Sequence, residues 1–201
     1  ASAAAVWTLR SRGIHSWRLN SGEHPLPFPA SSHPVIGVSQ SGKSAETLAA
    51  VRSIDAGLRL AVVNVAPSPL ADLAAIAVSL GNLPDSYAST VGYTATVAAL
   101  GMIAEAWDGG AVDPSWAELP AAFRRLDEVL RARGPALAAP LAGAVAVDYA
   151  AAAATAGSAE VGALLLREVA RVPATGLSTR QYLHGAMESA GKTAHVLIGR
   201  A

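Results

Sequence analysis

Three compact apolar runs, "PVIGVS" from Pro34, "LRLAVVNV" from Leu58 and "AIAVSL" from Ala75, are each bounded by turn residues. Such runs carry no polar alternation, which is the pattern of strands buried on both faces of a parallel sheet. Between the first two lies "KSAETLAAVRSIDAG", a helix-forming stretch closed by Gly57, and a Pro-Ser-Pro break leads through the short "LADLA" to the third. Strand, helix, strand, short helix, strand is the order of a doubly wound α/β sheet with right-handed crossovers.

The remainder extends this pattern. Residues 1–12 are good helix formers ending in Arg10, Arg12 and the C-cap candidate Gly13, and "IHSWRL" alternates like a short strand. A long apolar helix is expected over 90–107, followed by a boundary in "WDGGAVDPSWAELP". An amphipathic helix then carries Trp116, Phe123, Leu126 and Leu130 on one side. A second α/β stretch follows: a strand in "AGAVAVDYAA", a helix in "SAEVGALLLREVARV", a turn and short helix in "ATGLSTRQYLHGAMESAG", and a strand in "AHVLIG". The expected organisation is a first subdomain over 1–107, a linker with its helix over 108–142, and a second, truncated subdomain over 143–201.

Composition removes several classes of function. Of 201 residues 52% are hydrophobic and 15% charged, which demands a packed core. Lys+Arg and Asp+Glu are equal at 15 each, so there is no basic surplus to hold nucleic acid or an anionic membrane. The cysteine count of zero excludes disulfides, thiolate zinc sites and a cysteine nucleophile. His15, His33 and His195 lack metal-ligand spacing, and no motif implies a metal or a cofactor. No apolar stretch reaches the roughly 20 residues of a membrane span and no secretory signal is present, so a soluble, cytoplasmic chain is expected. Trp7, Trp17, Trp107 and Trp116 read as core or interface filler.

The chemistry-bearing residues fall in three places. "SQSGKSAET" supplies Ser39, Gln40, Ser41 and Ser44, with Gly42 allowing a tight turn before a helix. Unpaired N–H groups and the positive end of the dipole suit an anion there. The spacing is neither a Walker loop nor a dinucleotide fingerprint. Two readings stand side by side, an anion cradle and an ordinary capped helix start. "GNLPDSYASTVGYT" places Ser86, Ser89 and Thr90 between a strand and a helix, and taken alone it reads as an N-cap. In an open parallel sheet the two loops face one crevice. Glu168 in "GALLLREVARV" and His184 in "QYLHGAMES" are a carboxylate and an imidazole suited to proton transfer at a sugar. A solvated glutamate and a structural histidine are the commoner roles, and spacing alone leaves both unassigned.

Taken together, "VIGVSQSGKSAETLAAVR", "LAVVNVAPSPLADLA", "YASTVGYTATVAAL", "GALLLREVA" and "YLHG" resemble the sugar isomerase (SIS) superfamily over most of the chain and in the same order. That superfamily includes the isomerase half of glucosamine-6-phosphate synthase (glutamine-fructose-6-phosphate aminotransferase) and stand-alone phosphosugar isomerases, deaminases and deglycases. The resemblance implies two flavodoxin-like α/β subdomains with parallel sheets and flanking helices, the second and the start of the first incomplete, assembled as a homodimer. By position, Ser39, Gln40, Ser41 and Ser44 would hold a sugar phosphate, and Ser89 with the backbone near Tyr87 and Ala88 would touch the sugar. Glu168 would match the isomerising base that moves a proton between C1 and C2. His184 would match the ring-opening histidine, which in the family reaches in from the neighbouring subunit.

Several positions depart from the family. Leu165 and Val91 stand where it often has lysines, Ala186 follows "HG" in place of proline, and Lys43 replaces a common acid. "AAAAATAG" replaces a glycine-containing loop, and the closing lysine has no counterpart before Ala201. Two main readings of function follow, beside a weaker third in which the chain is a degenerate half that mainly serves dimerisation. One is an enzyme acting on a phosphosugar or amino-sugar phosphate, without a thiol of its own to draw ammonia from glutamine. The other is a module that senses a phosphosugar without turning it over.

Overall fold

A computed structural model of the chain describes residues 1–23 and 26–199. Its contacts divide it into two units, one formed by residues 16–101 and the other by residues 2–15 with 102–201.

In the first unit β1 (Val35–Ser39), β2 (Arg59–Val63) and β3 (Ile76–Ser79) form a parallel sheet in the order β1-β2-β3. The register aligns Ser39 with Val63 and Val63 with Ser79, so the carboxyl ends of all three strands finish at one edge. Helix α2 (Ala45–Arg52) carries Glu46 in its first turn and Arg52 in its last, each charge opposing the local pole of the helix dipole. Its Leu48 and Val51, three residues apart, turn the same face inward. They pack with Ala61, Val63 and Leu70 into one apolar cluster. Leu70 belongs to α3 (Pro69–Leu73), where Pro69 opens the helix without losing an internal hydrogen bond. All three expected strands are present. "IHSWRL" is not one: its backbone is irregular, and Trp17 and Leu19 are more than half exposed, so its alternation marks no buried sheet face.

Helix α4 (Val91–Ala106) is the long helix expected over 90–107, and the division between the units falls within it at Gly101. In the second unit α1 (Ser2–Ser11) ends as expected at Gly13, whose φ is +81° and whose N–H donates to Arg10 O. Contacts group α1 with this unit rather than with the rest of 1–107. Trp7 on it is half exposed and fills no core. The amphipathic helix is present as α5 (Leu119–Ala138), with Phe123, Leu126 and Leu130 each close to half exposed.

The second sheet consists of β4 (Ala146–Ala151), β5 (Ala174–Ser178) and β6 (Thr193–Ile198), all parallel in the order β5-β4-β6. "ATGLS", expected as part of a turn, is β5. Its Gly, Thr and Ser residues look like a loop, but β4 offers a full ladder from Val147 to Ala151 and the pairing prevails over local propensity. The backbone of α6 (Ala156–Leu165) lies directly against Gly176 of this strand. Val147, Ala163 and Ala174 form the buried centre of the unit. The architecture is therefore mixed α/β, with two three-stranded parallel sheets and flanking helices. Among the described residues no helix is long and apolar enough to cross a membrane.

Candidate functional site

Ser39 closes β1 in a buried position, and its Oγ accepts from Gly42 N at 3.1 Å and pairs with Ser44 Oγ at 3.0 Å. Gly42 has φ +65°, and a Cβ there would come within 2.6 Å of Ser68 Cβ, so both backbone conformation and space require glycine. Ser41 Oγ accepts from Lys43 N at 3.2 Å, while Lys43 and Ser41 stand exposed. Ser44 occupies the N-cap position of α2 but makes no side-chain cap bond. Its hydroxyl is spent on Ser39, which turns it away from the first-turn N–H groups.

The sequence left open whether this loop is an anion cradle or a capped helix start. A capping serine normally accepts from a backbone N–H of the first turn, and this one does not. Beneath the loop the Ser68 hydroxyl is 3% exposed and has no hydrogen-bond partner. A buried polar atom left unpaired costs roughly 1–3 kcal/mol.

The second loop is organised around Asp85, which the sequence reading passed over. One carboxylate oxygen accepts from Ser89 Oγ at 2.6 Å and Gly92 N at 2.8 Å. The other accepts from Ser86 N, Thr90 N and Val91 N at 2.9, 3.1 and 3.3 Å. The Ser89 hydroxyl first, and then the backbone N–H groups, hold the carboxyl far below its ordinary value. Ser89 is thus a donor to Asp85, Ala88 O accepts from Ser86 Oγ at 2.6 Å, and the Tyr87 ring is turned to solvent at 93% exposure.

Gly92 joins the two loops. A Cβ on it would collide with the Gln40 side-chain amide and, at 2.6 Å, with Asp85 Oδ2. Gln40 from the end of β1 and Asp85 from the loop after β3 therefore meet at the first turn of α4. Asn64, buried at the end of β2, fixes this meeting: its N–H donates to Gln40 O, and its side-chain amide bonds the backbone of Leu83 in both directions. Asn64 and Asp85 were legible only as polar residues at the ends of an apolar run and of a turn.

Glu168 lies in a π-helical turn, Leu166–Ala170, that continues α6 and ends at Arg171 in the left-handed conformation with φ +57°. A single π turn in an α-helix is often found at a functional position. His184 follows α7 (Thr179–Leu183) and is exposed. Helix α7 opens with a capping box in which Ser178 and Gln181 satisfy each other's termini. Nearby, His195 on β6 is bracketed by Tyr182 Oη at 2.7 Å and Ser189 Oγ at 3.3 Å. Both of its ring nitrogens are engaged, which gives it a structural role.

This fold, two parallel three-stranded sheets with flanking helices, is shared with solved structures of proteins named for sugar-phosphate chemistry. Scans of the sequence against family models and against curated proteins give no match. Solved structures share the fold at low identity. The C-terminal domain of glucosamine-fructose-6-phosphate aminotransferase from Francisella tularensis matches 99% of this chain with a TM-score of 0.80 at 16% identity. Tagatose-6-phosphate ketose/aldose isomerase from Escherichia coli matches 98% with a TM-score of 0.72 at 19% identity. Glucosamine-6-phosphate deaminase from Thermotoga maritima matches 96% with a TM-score of 0.67 at 14% identity. The chain spans 61%, 57% and 61% of these structures respectively, so more than a third of each lies outside the match.

Proposed function

We propose that this chain binds a phosphorylated sugar and catalyses aldose-ketose isomerisation, or the isomerisation and deamination of an amino-sugar phosphate, of the fructose-6-phosphate or glucosamine-6-phosphate type. The observation that carries this reading is the Ser39–Ser44 hydroxyl pair, which leaves the start of α2 without its serine cap in a loop built on a left-handed glycine. The phosphate would sit on Ser39, Gln40, Ser41 and Ser44, with backbone N–H groups and the helix dipole opposing its charge. The sugar would extend toward Ser89 and the backbone near Tyr87 and Ala88.

Glu168 would move a proton between C1 and C2 of the open-chain sugar, and His184 would move the proton of the ring oxygen as the ring opens. Homodimeric assembly, with His184 serving the neighbouring copy, and a cytoplasmic location belong to the same reading. A sensing module is the second reading, favoured by one observation. Val91 begins α4 and Leu165 ends α6, both apolar where the resemblance leads one to expect lysine.

Incubation with fructose 6-phosphate or glucosamine 6-phosphate in heavy water separates the two. The enzyme places deuterium at C2 with the parent chain and none with Glu168→Gln. Thermal stabilisation by either ester with no exchange supports the sensing module, and neither effect rejects both readings.

A further inference from the structure

The two loops at the carboxyl edge of the first sheet differ in charge. Residues 39–44 carry one ionisable side chain, Lys43, while the acid of residues 81–90 is Asp85. The helices that follow differ too. The N-cap serine of α2 makes no cap bond, whereas the first turn of α4 is filled by the Asp85 carboxylate through Thr90 N, Val91 N and Gly92 N. An anion from the chain already occupies the seat that a second phosphate would need. Ser89 has spent its proton on the same carboxylate, so its Oγ can offer lone pairs alone to a ligand. Gln40 reaches Gly92 from the first loop, so its amide and Asp85 Oδ2 both stand against the first turn of α4 and the two loops meet there.

From this arrangement we infer that Asp85 is a specificity residue: a built-in anion that restricts the site to sugars with a single phosphate and makes Ser89 an acceptor for a sugar hydroxyl or amino group. The inference rests on the sugar-phosphate reading and adds to it a direction. Phosphate goes to residues 39–44, and the end facing Asp85 and Ser89 must be a hydrogen-bond donor without negative charge. A sugar bisphosphate brings its second phosphate against Asp85, a like-charge contact that its binding must overcome.

The test compares calorimetric binding of fructose 6-phosphate and fructose 1,6-bisphosphate. The parent chain should prefer the monophosphate by a factor on the order of tenfold. Asp85→Asn keeps an acceptor for the α4 cap but removes the charge, and should bring the two affinities together. Ser89→Ala leaves the carboxylate in place and should weaken both esters while preserving the preference, which guards against a folding defect in the Asp85 variant. Equal affinity of the parent chain for both esters, or an unchanged preference in a folded Asp85→Asn variant, overturns the inference and leaves the sugar-phosphate reading intact. Binding of neither ester by the parent chain rejects that reading and the inference with it.

Discussion

The side-chain amide of Asn64 exchanges two hydrogen bonds with the backbone of Leu83, donating to its carbonyl and accepting from its N–H, each at 2.9 Å. This pair of bonds fastens the loop that carries Asp85 and Ser89 to the end of β2. Asn64 is 4% exposed, so water cannot readily replace the lost partner. Asn64→Ala should destabilise the first unit by about 2 kcal/mol. Hydrogen exchange reads the effect locally. The Leu83 amide should exchange faster in the variant by on the order of tenfold or more, while amides of β4 to β6 keep their parent rates. Unchanged protection at Leu83 would rule out the clamp.

At Gly92 helix propensity and site geometry oppose each other. Alanine is favoured over glycine in a helix by about 1 kcal/mol, yet its Cβ collides with the Gln40 amide and Asp85 Oδ2. Gly92→Ala should therefore leave thermal stability within a few degrees of the parent and weaken fructose 6-phosphate binding roughly tenfold, as neighbouring sites couple. Since the damage passes through Gln40, adding Gln40→Ala should cost less in the Gly92→Ala background than in the parent. Additive losses in the double-mutant cycle would contradict this.

The strands and helices of the first unit were legible because each is short, apolar and punctuated by Gly, Pro or Ser, and their termini need nothing from distant residues. The second unit was less so. β5 looks like a turn because Thr175, Gly176 and Ser178 have weak local strand preference, and β4 alone makes them a strand. The serines of residues 39–44 stood out by type and spacing, but not the bond between Ser39 and Ser44 that stands where a serine cap bond would be. Asp85 was overlooked because an acid before a serine-rich turn is ordinary. Its five bonds depend on how the loop folds back onto α4. The π turn at Glu168 has no sequence signature, since α and π turns accept the same residues.

Arg12, just beyond α1, places its guanidinium on the last carbonyls of α4 and on that of Trp107 in the turn that follows. It donates to Ala104 O at 2.7 Å, Glu105 O at 2.6 Å and Trp107 O at 3.2 Å. A cation there opposes the negative end of the helix dipole and serves Ala104 O and Glu105 O in the last turn, where carbonyls lack partners within the helix, while Trp107 O also accepts from Gly110 N. Arg12→Met retains the aliphatic stem and should cost about 1 kcal/mol. Arg12→Lys should recover part of this, because an ammonium cannot fork between carbonyls as a guanidinium does. Urea unfolding followed by Trp fluorescence checks the order parent, Lys, Met. A lysine variant as stable as the parent would show that charge alone matters.

Asp85 also sets an expectation for acid stability. Its carboxyl lies below the ordinary 3.8 because Ser89 Oγ and the N–H groups of Gly92, Thr90 and Ser86 bond the charged form. A group whose native pKa is depressed adds stability that is complete above its unfolded value and is lost as the pH falls through the native one. Asp85→Asn removes this pH-dependent contribution and retains a neutral acceptor at the helix start. The stability gap between parent and variant should hence be constant from neutral pH down to about pH 5 and narrow only below about pH 4. Urea midpoints measured across this range, at fixed ionic strength, decide the matter. A gap that widens on acidification would mean that Asp85 is not the ionised cap of α4, and would remove the charge on which the proposed preference for sugar monophosphates depends.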